Sequence, residues 1–238
     1  VSRRPRVAVM ATGDELQPPE TRSLAPGQIR ESNRPLMRSL VSEAGGEVID
    51  LGIVGDTEEE LTGALDRAAA EADVIITSGG VSMGEYDLIK QVLRASGDVG
   101  FWQVAMQPAK PFAFGRVGDV PLFGLPGNPV SAMIAFEQFA RPALLRMQGA
   151  TFLLRPRIRM RLAQAVDTDR EKVVFLRVRI DHDGDEPQVR LSGGQSSHVL
   201  SAVVAADGLA VIPVGVGGVA MGEWVDVELF RHPSRGWA

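Results

Sequence analysis

Apolar and polar positions change rhythm once along the chain, near residue 150. Before it, short runs that are apolar throughout alternate with longer stretches whose apolar residues return every three or four positions. That is the pattern of strands covered on both faces and of amphipathic helices. Arg6–Ala11 is the first such run and ends at Thr12-Gly13. Ser32 or Asn33 is placed to cap the next segment, with Pro35 in its first turn. Leu36, Leu40 and Val41 then recur at helical spacing until Gly45-Gly46. Val48–Val54 follows as a strand, and Thr57 with Glu60 fits a capping box ahead of the stripe Leu61, Ala64, Leu65, Ala68 and Ala72. Asp73–Ser78 is a third strand, closed by Gly79-Gly80, and Tyr86–Ala95 a short helix with Leu88, Ile89, Val92 and Leu93 apolar. Phe112–Phe114 and Val120–Phe123 read as strands. Asn128 as cap and Pro129 at the first position open a long helix whose buried face runs through Met133, Phe136, Ala140, Leu144 and Met147. The alternation predicts a doubly wound α/β fold with a mostly parallel sheet.

After residue 150 the period drops to two. Arg157–Leu162 alternates strictly, and Val173–Ile180, Val189–Leu191, Leu209–Pro213 and Trp224–Phe230 are further strand candidates. Asp181–Pro187 is turn-rich, and Ser196–Ala206 fits a helical turn or two. A small antiparallel β-barrel or sandwich is expected, giving domains 1–150 and 151–238. Charge divides at the same place: 14 basic and 19 acidic side chains before it, 11 of each after it.

Composition narrows the chemistry. The 238 residues contain no cysteine, which excludes disulfide staples, zinc fingers, iron–sulfur centres and thiol nucleophiles. A net charge of -5 argues against a duplex-binding surface, and no stacking aromatics alternate with the arginines from Arg155 to Arg161, so no nucleic-acid partner is expected. No apolar run approaches 18 residues and no signal segment opens the chain, so a cytoplasmic protein without membrane contact is expected. The first residue is Val, which fits either a processed chain or a piece of a longer protein.

Open α/β sheets bind ligands beyond the carboxyl ends of their strands. Here the polar, Gly-rich segments follow strands: Thr12–Glu15, Gly55-Asp56, Ser78–Asp87 and Gly124–Pro129, so topology gathers them at one sheet edge. Gly79, Gly80 and Gly84 permit a backbone nest for an anion, with Ser78 and Ser82 as hydroxyl donors. The spacing is neither a dinucleotide fingerprint nor a P-loop. Asp14, Glu15, Asp56, Glu85 and Asp87 put several carboxylates at that edge, which suits Mg²⁺ and substrate phosphates. Lys110, one of three lysines, stands between Pro108 and Pro111 as a phosphate contact. Pro126-Gly127-Asn128-Pro129 opens a helix whose free N–H groups, with the Ser131 hydroxyl, favour an anion. Each feature also has a plainer reading: Asp56 and Glu85 as helix-start residues, Lys110 as a solvent lysine, Asn128 as a cap. The exposed loop Pro18–Gln28 sits where loops cross the mouths of sites. His182, His198 and His232 have no metal-like spacing, and no G-x-S-x-G elbow is present. The combination points to a phosphorylated small-molecule substrate held with a divalent cation.

Five motifs in order carry a resemblance: Thr12–Leu16 (TGDEL), Gly52–Thr57 (GIVGDT), Thr77–Asp87 (TSGGVSMGEYD), Gln107–Gly115 (QPAKPFAFG) and Gly124–Ala132 (GLPGNPVSA). They resemble the molybdopterin molybdenumtransferase (MoeA) family, which takes in the E domain of gephyrin. Ser192–Ala202 (SGGQSSHVLSA) is a looser match to that family's C-terminal barrel. The resemblance implies the C-terminal portion of such an enzyme, without the family's N-terminal domains, and a homodimer in the full-length protein. It also implies molybdenum insertion from molybdate into adenylylated molybdopterin, with AMP released and Mg²⁺ as cofactor. Ser78, Gly79, Gly80, Ser82, Gly84, Lys110, Pro126, Asn128, Pro129, Ser131 and Ser197 would then border or bind the pterin phosphates. Asp87 and Asp56, with the Asp14-Glu15 pair, would take the catalytic part, and Asp87, Asp56 and Asp14 the metal. Two rivals are the related molybdopterin adenylyltransferase, which usually lacks the barrel, and a non-catalytic pterin-binding scaffold.

Overall fold

The computed structural model describes residues 2–80, 88–182 and 186–230. The chain divides into two units, Val1–Val104 with Pro111–Leu153, and Ala105–Lys110 with Leu154–Ala238.

In chain order the first unit carries β1 (Arg6–Thr12), β2 (Leu16–Gln17), β3 (Ile29–Arg30), α1 (Asn33–Glu43), β4 (Glu47–Val54), α2 (Glu58–Glu71), β5 (Val74–Ser78), α3 (Leu88–Ser96) and β6 (Gly97–Gln103). The short β7 (Met106–Gln107) belongs to the second unit. The first unit resumes with β8 (Pro111–Val117), β9 (Val120–Leu125), α4 (Pro129–Ala135), one π-helical stretch (Phe136–Ala140) and α5 (Arg141–Met147). Its main sheet runs β4-β1-β5-β9-β8-β6. The first four strands are mutually parallel, and β8 and β6 each join antiparallel. All five residues of β5 are buried, as a strand covered on both faces requires. On β1, Ala8 and Met10 enter a cluster with Leu61, Leu65 and Ala68 of α2 and Val92 and Leu93 of α3. Val7 turns the other way, toward Val41 of α1, where a Cβ on Gly46 would lie 2.8 Å from Val41 and 3.2 Å from Val7. Helices therefore cover both faces, and the mostly parallel, doubly wound α/β reading holds.

Several local expectations shift. On α1 the inward stripe is Asn33, Met37 and Val41, while Leu36 and Leu40 are only half-buried. Ser32 makes no side-chain cap; instead the Glu31 carboxylate accepts the Arg34 N–H at 2.7 Å. Thr57 caps α2 as expected, its hydroxyl accepting the Glu60 N–H at 3.3 Å and donating to the Glu60 carboxylate at 2.7 Å. Asn128 holds the N-cap position of α4 without a side-chain cap bond. The long helix after it is interrupted by the π-helical stretch, which rotates its later face and leaves Met147 exposed. β6 escaped the apolar-run reading because Gly97, Asp98 and Gly100 break it up.

The second unit contains β7, β10 (Arg157–Leu162), β11 (Val166–Asp167), β12 (Val173–Asp181), β13 (Gln188–Leu191), α6 (Leu200–Val204), β14 (Gly208–Ile212), β15 (Gly218–Val219) and β16 (Trp224–Leu229). Five strands close a ring, β13-β10-β16-β14-β12, completed by the β12–β13 pairing. Every seam is antiparallel except β10–β13, which is parallel, and β7 adds to β12 in parallel. Alternate residues fill the interior, among them Met160 and Leu162, Val174, Leu176 and Val178, and Val225, Val227 and Leu229. The arginine row on β10 is a partnered outer face: Arg157 meets Glu228 at 2.6 Å and Arg161 stacks on Trp224 at 4.6 Å from the ring centre.

Candidate functional site at the carboxyl edge of the sheet

Strand register brings four loops level. Thr12 pairs with Val54, Ala11 with Ser78, and Ser78 with Leu125, so β4, β1, β5 and β9 all end on one line. Neighbouring strands lie about 4.8 Å apart, so the loops after β1, β5 and β9 leave the sheet within about 10 Å of one another. Asp14, Glu15, Asp56, Ser78, Gly79, Gly80, Pro126, Asn128 and Pro129 are therefore gathered at one edge. Ser82, Gly84 and Asp87, together with Glu85, lie outside the described residues.

Asp14 and Asp56 face each other across the β1 and β4 ends. The Asp56 N–H donates to the Asp14 carboxylate at 3.1 Å and the Asp14 N–H to the Asp56 carboxylate at 3.3 Å. Each bond ties one carboxylate oxygen and leaves the other. Partial desolvation pushes the Asp56 carboxyl above the ordinary carboxylate range, against the lowering effect of the Asp14 N–H, with the charges of Asp14 and Glu15 adding to the rise. Among the described residues no group of three or more His, Asp and Glu side chains is placed to hold a metal. Two exposed carboxylates, each with an oxygen to spare and each repelling the other, nevertheless fit Mg²⁺, which keeps most of its waters and takes one or two protein carboxylates.

The start of the loop after β5, at Ser78 and Gly79, is held by its neighbours. Gly79 has φ +100°, and its N–H donates to the Leu125 carbonyl at 3.1 Å. A Cβ there would lie 2.7 Å from the Thr12 carbonyl oxygen, so only glycine lets the turn pass β1. That N–H is therefore spent inside the fold. The Ser78 hydroxyl is also committed: 2% exposed, it accepts from the Asn33 amide at 2.7 Å and lies 3.4 Å from the Pro126 carbonyl. It ties loops together rather than facing solvent. Asn33 also donates to the Gly127 carbonyl at 2.6 Å. Pro126 and Ser131 are buried, Pro129 half-buried, and Gly127 and Asn128 exposed.

The second unit carries the remaining expected residues. Lys110 is exposed and follows Ala109, a buried residue at φ +79°, a conformation that non-glycine residues seldom adopt. Ser197 is half-buried. Sequence reasoning passed over two residues. Asn33 was read as a cap, although its spacing of four from Met37 and eight from Val41 puts a polar group on the buried stripe of α1. Arg177 is 1% exposed on β12, and its guanidinium donates to the carbonyls of Gly194 and Ser196 at 3.2 and 3.3 Å. Burial lowers its pKa. Nothing in the alternation of β12 distinguished it.

Residues 8–146 match the family described as "Probable molybdopterin binding domain", and residues 159–230 the "MoeA C-terminal region (domain IV)". The molybdopterin molybdenumtransferase of Haemophilus influenzae is 39% identical over 236 residues, covering 97% of this chain and 57% of that protein. Molybdopterin molybdenumtransferase 2 of Mycobacterium tuberculosis is 41% identical over 230 residues, covering 94% and 56%. Among solved structures, a molybdopterin biosynthesis MoeA protein from Pyrococcus horikoshii matches with a TM-score of 0.81 at 34% identity, over 97% of this chain and 55% of that one. The chain spans little more than half the length of these relatives.

Proposed function

We propose, because this chain belongs to the molybdopterin molybdenumtransferase (MoeA) family, that it carries the substrate-binding part of an enzyme inserting molybdenum from molybdate into adenylylated molybdopterin, with release of AMP. The observation that carries the reading is the level ending of four strands at one edge, with the crossed Asp14–Asp56 pair beside the glycine turn of β5. Substrate phosphates would lie on the loops after β5 and β9; Lys110 is proposed as a phosphate contact from its place between two prolines in the QPAKPFAFG motif. Asp14 and Asp56, joined by Asp87, would hold Mg²⁺; when bound, the cation neutralises pyrophosphate charge and favours departure of AMP. Asp14 and Asp56 would hold that cation through the oxygens their crossed bonds leave over, while those N–H bonds keep the two loops in register. The carboxylates repel molybdate itself. An arginine or a backbone N–H is the better kind of partner for that oxyanion.

The surrounding expectations follow from the same reading: small-molecule substrates, no nucleic-acid partner, a homodimer in the longer protein and a cytoplasmic setting. No helix among the described residues is long and apolar enough to cross a membrane. The deciding experiment incubates the chain with adenylylated molybdopterin, Mg²⁺ and molybdate and measures AMP. Molybdate-dependent release is expected. Pterin binding without release, in this chain and in a longer parent, would favour the scaffold reading instead. The match over residues 159–230 weighs against the adenylyltransferase, and consumption of ATP in place of AMP release would restore it. Lys110→Ala should weaken substrate binding at least tenfold, about 1.4 kcal/mol. A smaller loss by equilibrium titration returns Lys110 to an ordinary solvent lysine.

A further inference from the structure

Three consecutive carbonyls, at the last residue of β9 and the two after it, are turned into the protein. The Leu125 oxygen takes the Gly79 N–H at 3.1 Å, the Pro126 oxygen lies 3.4 Å from the Ser78 hydroxyl, and the Gly127 oxygen takes the Asn33 amide at 2.6 Å. In a trans peptide the C=O and the following N–H point in opposite directions. Among the described residues the only cis bond is Gln107–Pro108. The N–H groups of Gly127 and Asn128 are thus turned away from the interior, on exposed residues, and neither donates to any described residue. Two successive N–H groups left over on one side are donors that an anion can take.

Asn33 holds that arrangement from outside the loop. It is 7% exposed, and its amide nitrogen serves Gly127 and Ser78 at once. A carbonyl can only accept, so the nitrogen, not the oxygen, must face Gly127. By donating to Ser78 it also leaves that hydroxyl its own hydrogen for Pro126. We infer that Asn33 is a positioning residue: through Ser78 and the two captured carbonyls it fixes the Gly127 and Asn128 N–H groups outward, as the cradle for a phosphate of the substrate. The inference rests on the phosphate-binding reading above.

Two variants test it. Asn33→Ala removes the tie. Asn33→Asp keeps the shape but replaces donor hydrogens with acceptor oxygens, which repel the Gly127 carbonyl and draw the Ser78 hydrogen away from Pro126. The ¹⁵N-labelled chain is titrated with inorganic pyrophosphate and followed by amide NMR. In the unsubstituted chain the Gly127 and Asn128 signals should shift saturably. Either variant should weaken that affinity at least tenfold while the signals of Ile75 and Leu122 stay in place. In a longer parent the KM for adenylylated molybdopterin should rise with kcat retained, a split that general loosening of the fold does not produce. Unchanged affinity in a folded variant overturns the inference, and so does an unsubstituted chain whose Gly127 and Asn128 amides ignore pyrophosphate. The latter decides even if both variants fail to fold. Pyrophosphate binding at those amides without AMP release in the parent would sink the proposed reaction and leave Asn33 in its role. AMP release at unchanged KM in both variants would do the reverse.

Discussion

Gly79→Ala should destabilise the chain by about 2–5 kcal/mol and abolish pterin binding together with it. Two costs combine. An alanine at φ +100° carries roughly 1–2 kcal/mol of backbone strain, and its methyl would press on the Thr12 carbonyl at 2.7 Å, an overlap of the kind that costs about 1–3 kcal/mol. The obstacle is main chain at the buried carboxyl end of β1, so it cannot swing aside as a side chain would. A matched control separates the two costs. Gly118, in the β8–β9 turn, has φ +58° with nothing within 4 Å of a Cβ, so Gly118→Ala should show strain alone, about 1 kcal/mol. Urea unfolding by circular dichroism, with m unchanged, reads both. Equal losses in the two variants would mean that the β5 turn does not pack against β1 as described.

Asp56→Asn should leave the chain folded and lower Mg²⁺-dependent AMP release at least a hundredfold in an active parent, about 2.8 kcal/mol. The substitution removes a carboxylate already in conflict with Asp14 and Glu15, so the empty site should be no less stable without it. The sign of its pH dependence is fixed by the upward shift. Between the ordinary carboxylate value and the raised folded value, the folded chain binds more protons than the unfolded one, so stability falls as pH rises through that window. Asp56→Asn should flatten that slope. Cation affinity runs the opposite way, weakening as pH falls through the raised value because the proton takes the cation's place. A pH profile of Mg²⁺ affinity that is unaltered by Asp56→Asn would remove Asp56 from the cation site. Asp73 gives an internal contrast: despite desolvation that opposes it, its bonds to the Arg6 N–H and to the Arg6 and Arg3 guanidiniums hold it below the ordinary value. Its contribution is present above the unfolded value and is lost only as pH falls further.

What the chain disclosed in advance follows from how local each determinant is. β1 and β5 are legible because a strand buried on both faces must be apolar throughout. β4, a half-covered edge strand, is legible from its mostly apolar run alone, and the loops after all three because topology gathers strand ends. The Thr57–Glu60 cap spans three residues and could be read directly. Asn33 and Ser78 are 45 residues apart, and no periodicity links them, so the tie that commits Ser78 inward was invisible. The same holds for Arg177, whose partners Gly194 and Ser196 lie 17 and 19 positions away. The parallel β10–β13 seam was missed for another reason. Alternation marks which side chains face inward but says nothing of strand direction.

The excursion of Ala105–Lys110 has a practical corollary. Because this short stretch joins the barrel and the polypeptide then returns to the sheet for β8, the chain passes between the two units three times. No single cut in the gene yields two complete halves: a product starting at residue 154 forfeits β7, and one ending at 104 forfeits β8 and β9. Separating them cleanly calls for relocating the stretch, by fusion or circular permutation, rather than for a stop codon.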